Sequence, residues 1–275
     1  MTLEGDCLPQ GNKLIAFANL RGENGLWNSL SIDTDDMMKY CTLLFAVYCG
    51  CSTATAQTDS AFDAGLAARD RGHYATAIRA WQPLAEEGMA EAQNNLGHMY
   101  EEGLGVTQNY QQAMAWYRRA AEQKLPQAQH NVGLLYHFGY GVRPNANEAV
   151  RWFRMAAEQN LAESEYMLGL AYYQGEGLPL DYGQARQWFS KSATKGYPEG
   201  TLMLALLLLS GEGAVDNQPD PYHAYLWARI AMQLGQEQGD DIRAMATLEL
   251  DESQVIDAEA QVGNCLAQAL SDCPR

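Results

Sequence analysis

Apolar, small and glycine residues recur through the middle of the chain with a spacing of 36 positions. Each copy has an apolar residue followed by a small one, then an aromatic or apolar residue four positions on, and then Gly-x-Gly. The apolar-small pairs are Leu96-Gly97, Val132-Gly133, Leu168-Gly169 and Leu204-Ala205, and the glycines are Gly103/Gly105, Gly139/Gly141, Gly175/Gly177 and Gly211/Gly213. A fixed period of this length predicts a stacked array, in which each unit buries its apolar face against its neighbours.

Within one copy the spacing predicts two helices. Ala92, Leu96 and Tyr100 share one side of the first, and Gly103 ends it, because glycine adopts the left-handed conformation that a helix terminus requires. The second helix is predicted from about Gln111 to Gln123, with a packing stripe of alanines and aromatic residues. Each 36-residue copy is therefore a helical hairpin.

The repeated residues resemble a known family. The stretches from Ala92 to Val106 and from Ala128 to Val142 share the order A-x-x-x-L/V-G-x-x-Y-x-x-G-x-G-V, and A-x-x-W-Y/F-x-x-A-A follows each. This pattern resembles the Sel1-like repeat, a relative of the tetratricopeptide repeat, over about residues 61–234. The resemblance implies an all-α fold: an α-solenoid of stacked antiparallel helical hairpins.

Departures from the pattern set the predicted organisation. Residues 57–90 form a hairpin closer to the tetratricopeptide type, with Asp70-Arg71-Gly72 as its turn. Residues 91–237 hold about four Sel1-like repeats, the last with a longer loop around Val215. Residues 238–275 resemble the tail of exported bacterial Sel1-like proteins and are expected to form a C-terminal capping helix with Ser253 as its N-cap.

The first 56 residues differ in character from the repeats. Residues 1–36 show no sustained helical or strand period, and we expect them to be disordered or a mis-assigned upstream extension. Residues 37–56 combine a short cationic start, a brief apolar run and an Ala-x-Ala step, which is the pattern of a signal peptide, with its core at about 38–56. The alternative is a buried or amphipathic N-terminal helix. Lipidation at Cys51 would add peripheral membrane association, although the residues before it fit that motif poorly.

Cleavage after residue 56 would leave an acidic chain with two cysteines. The whole chain has a net charge of -16, and no basic run is present, which argues against nucleic-acid binding. Cys265 and Cys273 would be the remaining cysteines, and in an oxidising compartment they are expected to form one disulfide. Two separate buried thiols are the alternative. No stretch is predicted to be an integral membrane span.

One short motif in the sequence resembles a catalytic signature. Ser192-Ala-Thr-Lys195 matches the S-x-x-K signature of penicillin-recognising hydrolases, but Ser192 occupies the place of the packing alanines Ala120 and Ala156. The Gly-x-Gly repeats lack a phosphate-loop lysine, and no histidine has a zinc-site spacing. We therefore expect no cofactor, no metal and no catalytic residue.

The family resemblance also implies a binding surface. In tetratricopeptide proteins, ligand contacts project from the first helix of each hairpin onto the concave surface. The positions that correspond here are Asn94, His98, Glu101, His130, Leu134, His137, Tyr166, Leu170 and Tyr173, continued by Leu202, Leu206 and Leu209. The aliphatic end could instead be covered by the C-terminal cap.

The sequence thus predicts a non-catalytic scaffold or adaptor of the bacterial periplasm or cell exterior that binds another protein or an extended peptide. Two alternatives stay open. One is an exported β-lactam or cell-wall hydrolase that uses Ser192 and Lys195. The other is a cytosolic regulatory adaptor, if residues 1–56 are retained.

Overall fold

The computed structural model describes residues 7–10, 13–16, 58, 60–270 and 273–274. The chain divides into two units, Met1–Asp63 and Ala64–Arg275. In the first unit, strands β1 (Cys7–Gln10) and β2 (Lys13–Ala16) form an antiparallel hairpin. The hairpin lies within residues 1–36, where the sequence showed no strand period. The predicted signal peptide at 37–56 and Cys51 lie outside the described residues.

From residue 60 onwards the described chain is helical with short connections. Helix α1 covers residues 60–70 and is followed by α2 (Tyr74–Glu86), α3 (Ala90–Glu102), α4 (Tyr110–Glu122), α5 (Pro126–Phe138), α6 (Ala146–Ala157), α7 (Ala162–Gln174), α8 (Tyr182–Ala193), α9 (Pro198–Ser210), α10 (Pro221–Gln233), α11 (Gly239–Thr247) and α12 (Glu252–Ala267). From α2 to α11 each helix contacts the next. The predicted α-solenoid of stacked helical hairpins is therefore confirmed.

Glycines set both the ends of the helices and the stacking of the hairpins. Gly139 ends α5 in the left-handed conformation, with φ of 75°, as the repeat pattern predicts. Two residues on, Gly141 lies against the start of the preceding second helix, where an added Cβ would be 2.7 Å from Cβ of Tyr110. The Gly-x-Gly turn thus reverses the chain and fixes each hairpin against the one before it.

The second helices begin at side-chain caps. Asn109, Asn145, Asp181 and Asp220 each accept a hydrogen bond from the backbone N–H three residues on. Such caps satisfy an amide that would otherwise lack a partner at the helix start. In the last repeat the connection that leads to the cap Asp220 is a long loop, residues 211–220. Within this loop Asn217 has φ of 51° and Val215 is fully exposed.

One aromatic residue per hairpin fills the space between its two helices. Tyr117, Phe153 and Phe189 are completely or almost completely buried. Trp116 and Trp188 are only partly buried, and Arg119 and Lys191 lie over their rings at 4.6 and 3.8 Å from the centroids. The second aromatic residue of each pair is therefore more completely buried than the tryptophan, although Trp152 of the middle pair, which is 8% exposed, also belongs to the core.

The C-terminal region differs from the expected single helix. It contains two helices, α11 against α9 and α10, and α12 against α10. The prediction that Ser253 is the N-cap of the last helix is wrong. Asp251 holds that position, because its carboxylate and the Gln254 side chain form a reciprocal capping box, and Ser253 Oγ donates to Asp251 Oδ1 at 2.6 Å.

A disulfide lies at the end of the chain. It joins Cys265 in α12 to Cys273, with a Cα–Cα distance of 5.2 Å. Leu270 and Cys273 belong to the core cluster formed with α8, α9 and α10. The indole N–H of Trp227 donates to the carbonyl oxygen of Pro274 at 2.8 Å, so the tail covers the last hairpin. Among the helices of the described chain, none has both the length and the apolar character needed to cross a membrane.

Candidate partner-binding face

The first helices of successive repeats lie side by side. Asn131 on α5 donates to Asn94 on α3 at 3.0 Å, and His130 Nδ1 lies 2.8 Å from Ser164 Oγ on α7. Helices α7 and α9 are also in contact. We name the corresponding sides of these four helices the first-helix face, which consists of Asn94, His98, Glu101, His130, Leu134, His137, Tyr166, Leu170, Tyr173, Leu202, Leu206 and Leu209.

The polar end of the first-helix face lies on α3. His98 is exposed, whereas Asn94 and Glu101 are partly buried. The buried Tyr117 hydroxyl donates to Glu101 Oε2 at 2.6 Å, so burial and the Glu101 charge raise the pKa of Tyr117. Glu101 is therefore anchored to the hairpin core while the neighbouring His98 remains accessible.

His98, Glu101 and Glu102 offer one ligand atom each within 4.8 Å of one another. The sequence search, which used zinc-motif spacings, missed this group; the i, i+3, i+4 spacing on one helix was the available signal. Three surface groups with Glu101 already bonded to Tyr117 do not make a metal centre by themselves, since exposed acidic groups often lie this close.

The middle of the first-helix face carries a neutral histidine. Burial lowers the pKa of His130 to about 4, and the carboxylate of Glu163 opposes this shift only in part. At neutral pH the imidazole is therefore uncharged, hydrogen-bonded to Ser164, with its ring 5.5 Å from that of Phe153. His130 joins two repeats and presents little free polar surface.

His137 and Leu170 line one small cavity between α5, α6 and α7, together with Phe153 and Met167. Leu134 is partly buried against the core cluster that contains Phe153. The structure therefore brings these three predicted residues together along the junction of α5 and α7.

Tyrosines dominate the next part of the first-helix face. The Tyr166 ring lies 5.4 Å from that of Tyr197, and the Tyr173 ring lies 5.4 Å from that of Tyr182. Both Tyr166 and Tyr173 pack beside the buried Phe189 ring. Tyr197 and Tyr182 were not among the predicted site residues, because they stand at helix starts outside the first-helix periodicity.

The aliphatic end lies on α9. Leu202, Leu206 and Leu209 are partly buried against the core cluster that includes residues of α11 and α12. Helix α11 contacts α9 where a further first helix would stand. The C-terminal cap therefore lies against this end of the first-helix face.

The S-x-x-K residues have structural contacts. Ser192 is fully buried and donates to the carbonyl oxygen of Ala162 at 2.8 Å. Lys195 Nζ donates to Asn160 O at 3.1 Å and to Glu165 Oε1 at 2.5 Å. The depression beside Lys195 is lined by residues such as Glu165, Lys191 and Trp188, and Ser192 is not among them. A nucleophile must reach its substrate, so this arrangement does not favour acyl transfer.

Comparison with known proteins agrees with this geometry. The Sel1 repeat family model matches residues 90–125, 126–161, 162–197 and 198–236, just over half of the chain. A Sel1 repeat protein from Oxalobacter formigenes is 32% identical, with a TM-score of 0.60 over 66% of this chain and 73% of that one.

A protective antigen of uropathogenic Escherichia coli strains, with an SLR fold, is 27% identical, with a TM-score of 0.63 over 88% of this chain. The match covers 53% of that antigen, so this chain spans about half its length. No curated protein matches the chain. The four matched repeats and the stacked hairpins show that the chain belongs to the Sel1 repeat family.

Proposed function

We propose that this chain is a non-catalytic interaction scaffold that binds an extended segment of another protein on its first-helix face. The observation that carries the proposal is the ordered row of side chains on α3, α5 and α7, joined by Asn94–Asn131 and His130–Ser164. Because core packing already fixes these helices, the partner would meet a pre-ordered surface and less conformational entropy would be lost on binding.

A capture experiment tests the proposal. Immobilised protein is exposed to extract of the native host, and captured partners are compared with those of a His137→Ala/Tyr173→Ala variant. The matched control is Gln112→Ala/Gln187→Ala, two exposed positions on the second helices α4 and α8. We expect the control to retain its partner and the first variant to lose it, with unchanged circular dichroism. Equal capture by both variants would argue against the first-helix face.

The scaffold is proposed to act in the periplasm or outside the cell. Support comes from the signal-peptide pattern in residues 37–56 and from the Cys265–Cys273 pair, because structural disulfides persist in oxidising compartments. Intact-mass measurement of protein from its host tests this. Cleavage after Ala56 and the loss of two hydrogens at the cysteines are expected, whereas a full-length reduced chain would favour the cytosolic adaptor.

The hydrolase alternative has a direct assay. The burial of Ser192 and the engagement of Lys195 with Glu165 lead us to expect no nitrocefin turnover that depends on Ser192. Turnover abolished by Ser192→Ala, with the fold intact, would replace the scaffold proposal by a catalytic one.

A further inference from the structure

Beside Tyr166 of the first-helix face, aromatic rings are combined with negative charge. Tyr166 on α7 and Tyr197 at the start of α9 lie with ring centroids 5.4 Å apart and an interplanar angle of 46°. Glu163 precedes Tyr166 by one helical turn, so the two side chains are neighbours on α7. Glu199 lies in the first turn of α9, two residues after Tyr197.

The electrostatic environment of the two rings is negative. Burial and Glu199 raise the pKa of Tyr166. Burial, Glu199 and Glu163 raise the pKa of Tyr197 to about 12. The largest charge effects on these two hydroxyls therefore come from carboxylates.

The carboxylates have no cationic partner of their own. Among the described residues, neither Glu163 nor Glu199 takes part in an ion pair. The lysine closest in sequence, Lys195, is already engaged with Glu165 at 2.5 Å. Both glutamates lie in the first turn of their helices. Within the part of the chain that the structure describes, the site is therefore anionic, and no ion pair neutralises either carboxylate.

From this arrangement we propose that Glu163, Tyr166, Tyr197 and Glu199 form a recognition site for an arginine side chain of the bound partner segment. This inference rests on the proposed function and specifies its ligand. A planar guanidinium can stack on a tyrosine ring and donate paired hydrogen bonds to carboxylates, which a lysine ammonium does less well. The net charge of -16 favours a basic partner over the whole surface.

Selection from a random peptide library tests the proposal with a defined probe. Fluorescent heptapeptides randomised at every position are selected on the purified protein and on a Glu163→Gln/Glu199→Gln variant. The control is Glu237→Gln/Glu249→Gln, which removes the same charge at two exposed positions away from the face. Arginine is expected to be enriched with the wild type and the control and not with the first variant.

Affinities of one selected peptide then test the chemistry. Replacement of its arginine by citrulline, and separately the Glu163→Gln/Glu199→Gln change, should each weaken binding by about tenfold or more. Replacement by lysine should weaken it less, and Tyr166→Phe/Tyr197→Phe should retain most of it because the ring faces remain. Unchanged thermal unfolding of each variant separates these effects from misfolding.

The outcomes separate this inference from the proposed function. Selected peptides without arginine enrichment, or with an affinity that the glutamate changes leave intact, would overturn the arginine site but leave a peptide-binding face. If no selected peptide loses binding to the His137→Ala/Tyr173→Ala variant, the result would count against both the arginine site and the proposed binding face.

Discussion

At the scale of single residues, the closeness of the two helices in three successive hairpins depends on one glycine in each. Gly97, Gly133 and Gly169 lie beneath the rings of Tyr117, Phe153 and Phe189. A Cβ added at Gly133 would lie 2.5 Å from Cε1 of Phe153, well inside van der Waals contact. Because Phe153 is almost completely buried, its ring has little space into which it could move.

We therefore expect Gly133→Ala to lower the free energy of unfolding by about 1–3 kcal/mol, since overpacking would outweigh the gain in helix propensity. Urea denaturation measures the change. The control is Gly263→Ala in α12, where an added Cβ meets nothing within 4 Å, and a gain of about 0.5–1 kcal/mol is expected. Equal stability of Gly133→Ala and the wild type would show that the two helices can move apart without a loss of free energy of unfolding.

At the scale of the elements, a polar pair recurs between successive hairpins. Gln123 Nε2 donates to Gln93 Oε1 at 2.8 Å, and Gln159 Nε2 donates to Gln129 Oε1 at 2.7 Å. Both acceptor glutamines are buried and also donate to a carbonyl of the preceding second helix. One repeat later the pair is charged, with Lys195 bound to Glu165, which is only 2% exposed.

This charged pair yields a second prediction. Lys195→Met should reduce the free energy of unfolding by about 1–3 kcal/mol at pH 7, because the buried Glu165 carboxylate would lose the hydrogen bond from Lys195. Glu165→Gln/Lys195→Gln should lose much less, since it restores the pair found in the two preceding repeats. Urea unfolding of both variants provides the comparison. If Lys195→Met lowers the free energy of unfolding less than the double variant does, the ion pair does not stabilise the junction between the repeats.

The sequence predicts regular elements better than contacts between them. The 36-residue period and the Gly-x-Gly turns predict the helices α3 to α10, because periodic burial and left-handed caps are local properties of the sequence. Pairs such as Gln93–Gln123 depend on the stacking angle, and the sequence gives no direct signal for it. Ser253 looked like a cap, but Asp251 formed the stronger reciprocal bonds with Gln254. The predicted face omitted Tyr197, whose position outside the helical period hides its contact with Tyr166.

At the scale of the whole array, a solenoid needs an end that protects its last core layer. Here α11 and α12 cover α9 and α10, and the C-terminal tail lies over the final hairpin. Leu270 and Cys273 are buried in this layer, and Trp227 donates to Pro274. The disulfide joins the tail to α12 and so limits how far this cap can open.

Loss of the disulfide should therefore loosen the C-terminal end before the rest. Closing a loop with a sequence separation of 8 residues corresponds to about 2–3 kcal/mol of chain entropy in the unfolded state. Cys265→Ser/Cys273→Ser should lower the free energy of unfolding by a similar amount. Hydrogen exchange should accelerate in α10 and α12 while α3 to α5 stay protected, because stability in a repeat array is carried mainly between neighbours. A reductant should reproduce this in the wild type and leave the serine variant unchanged. Uniform acceleration across all repeats would mean instead that the array unfolds as one unit and that the cap governs its whole stability.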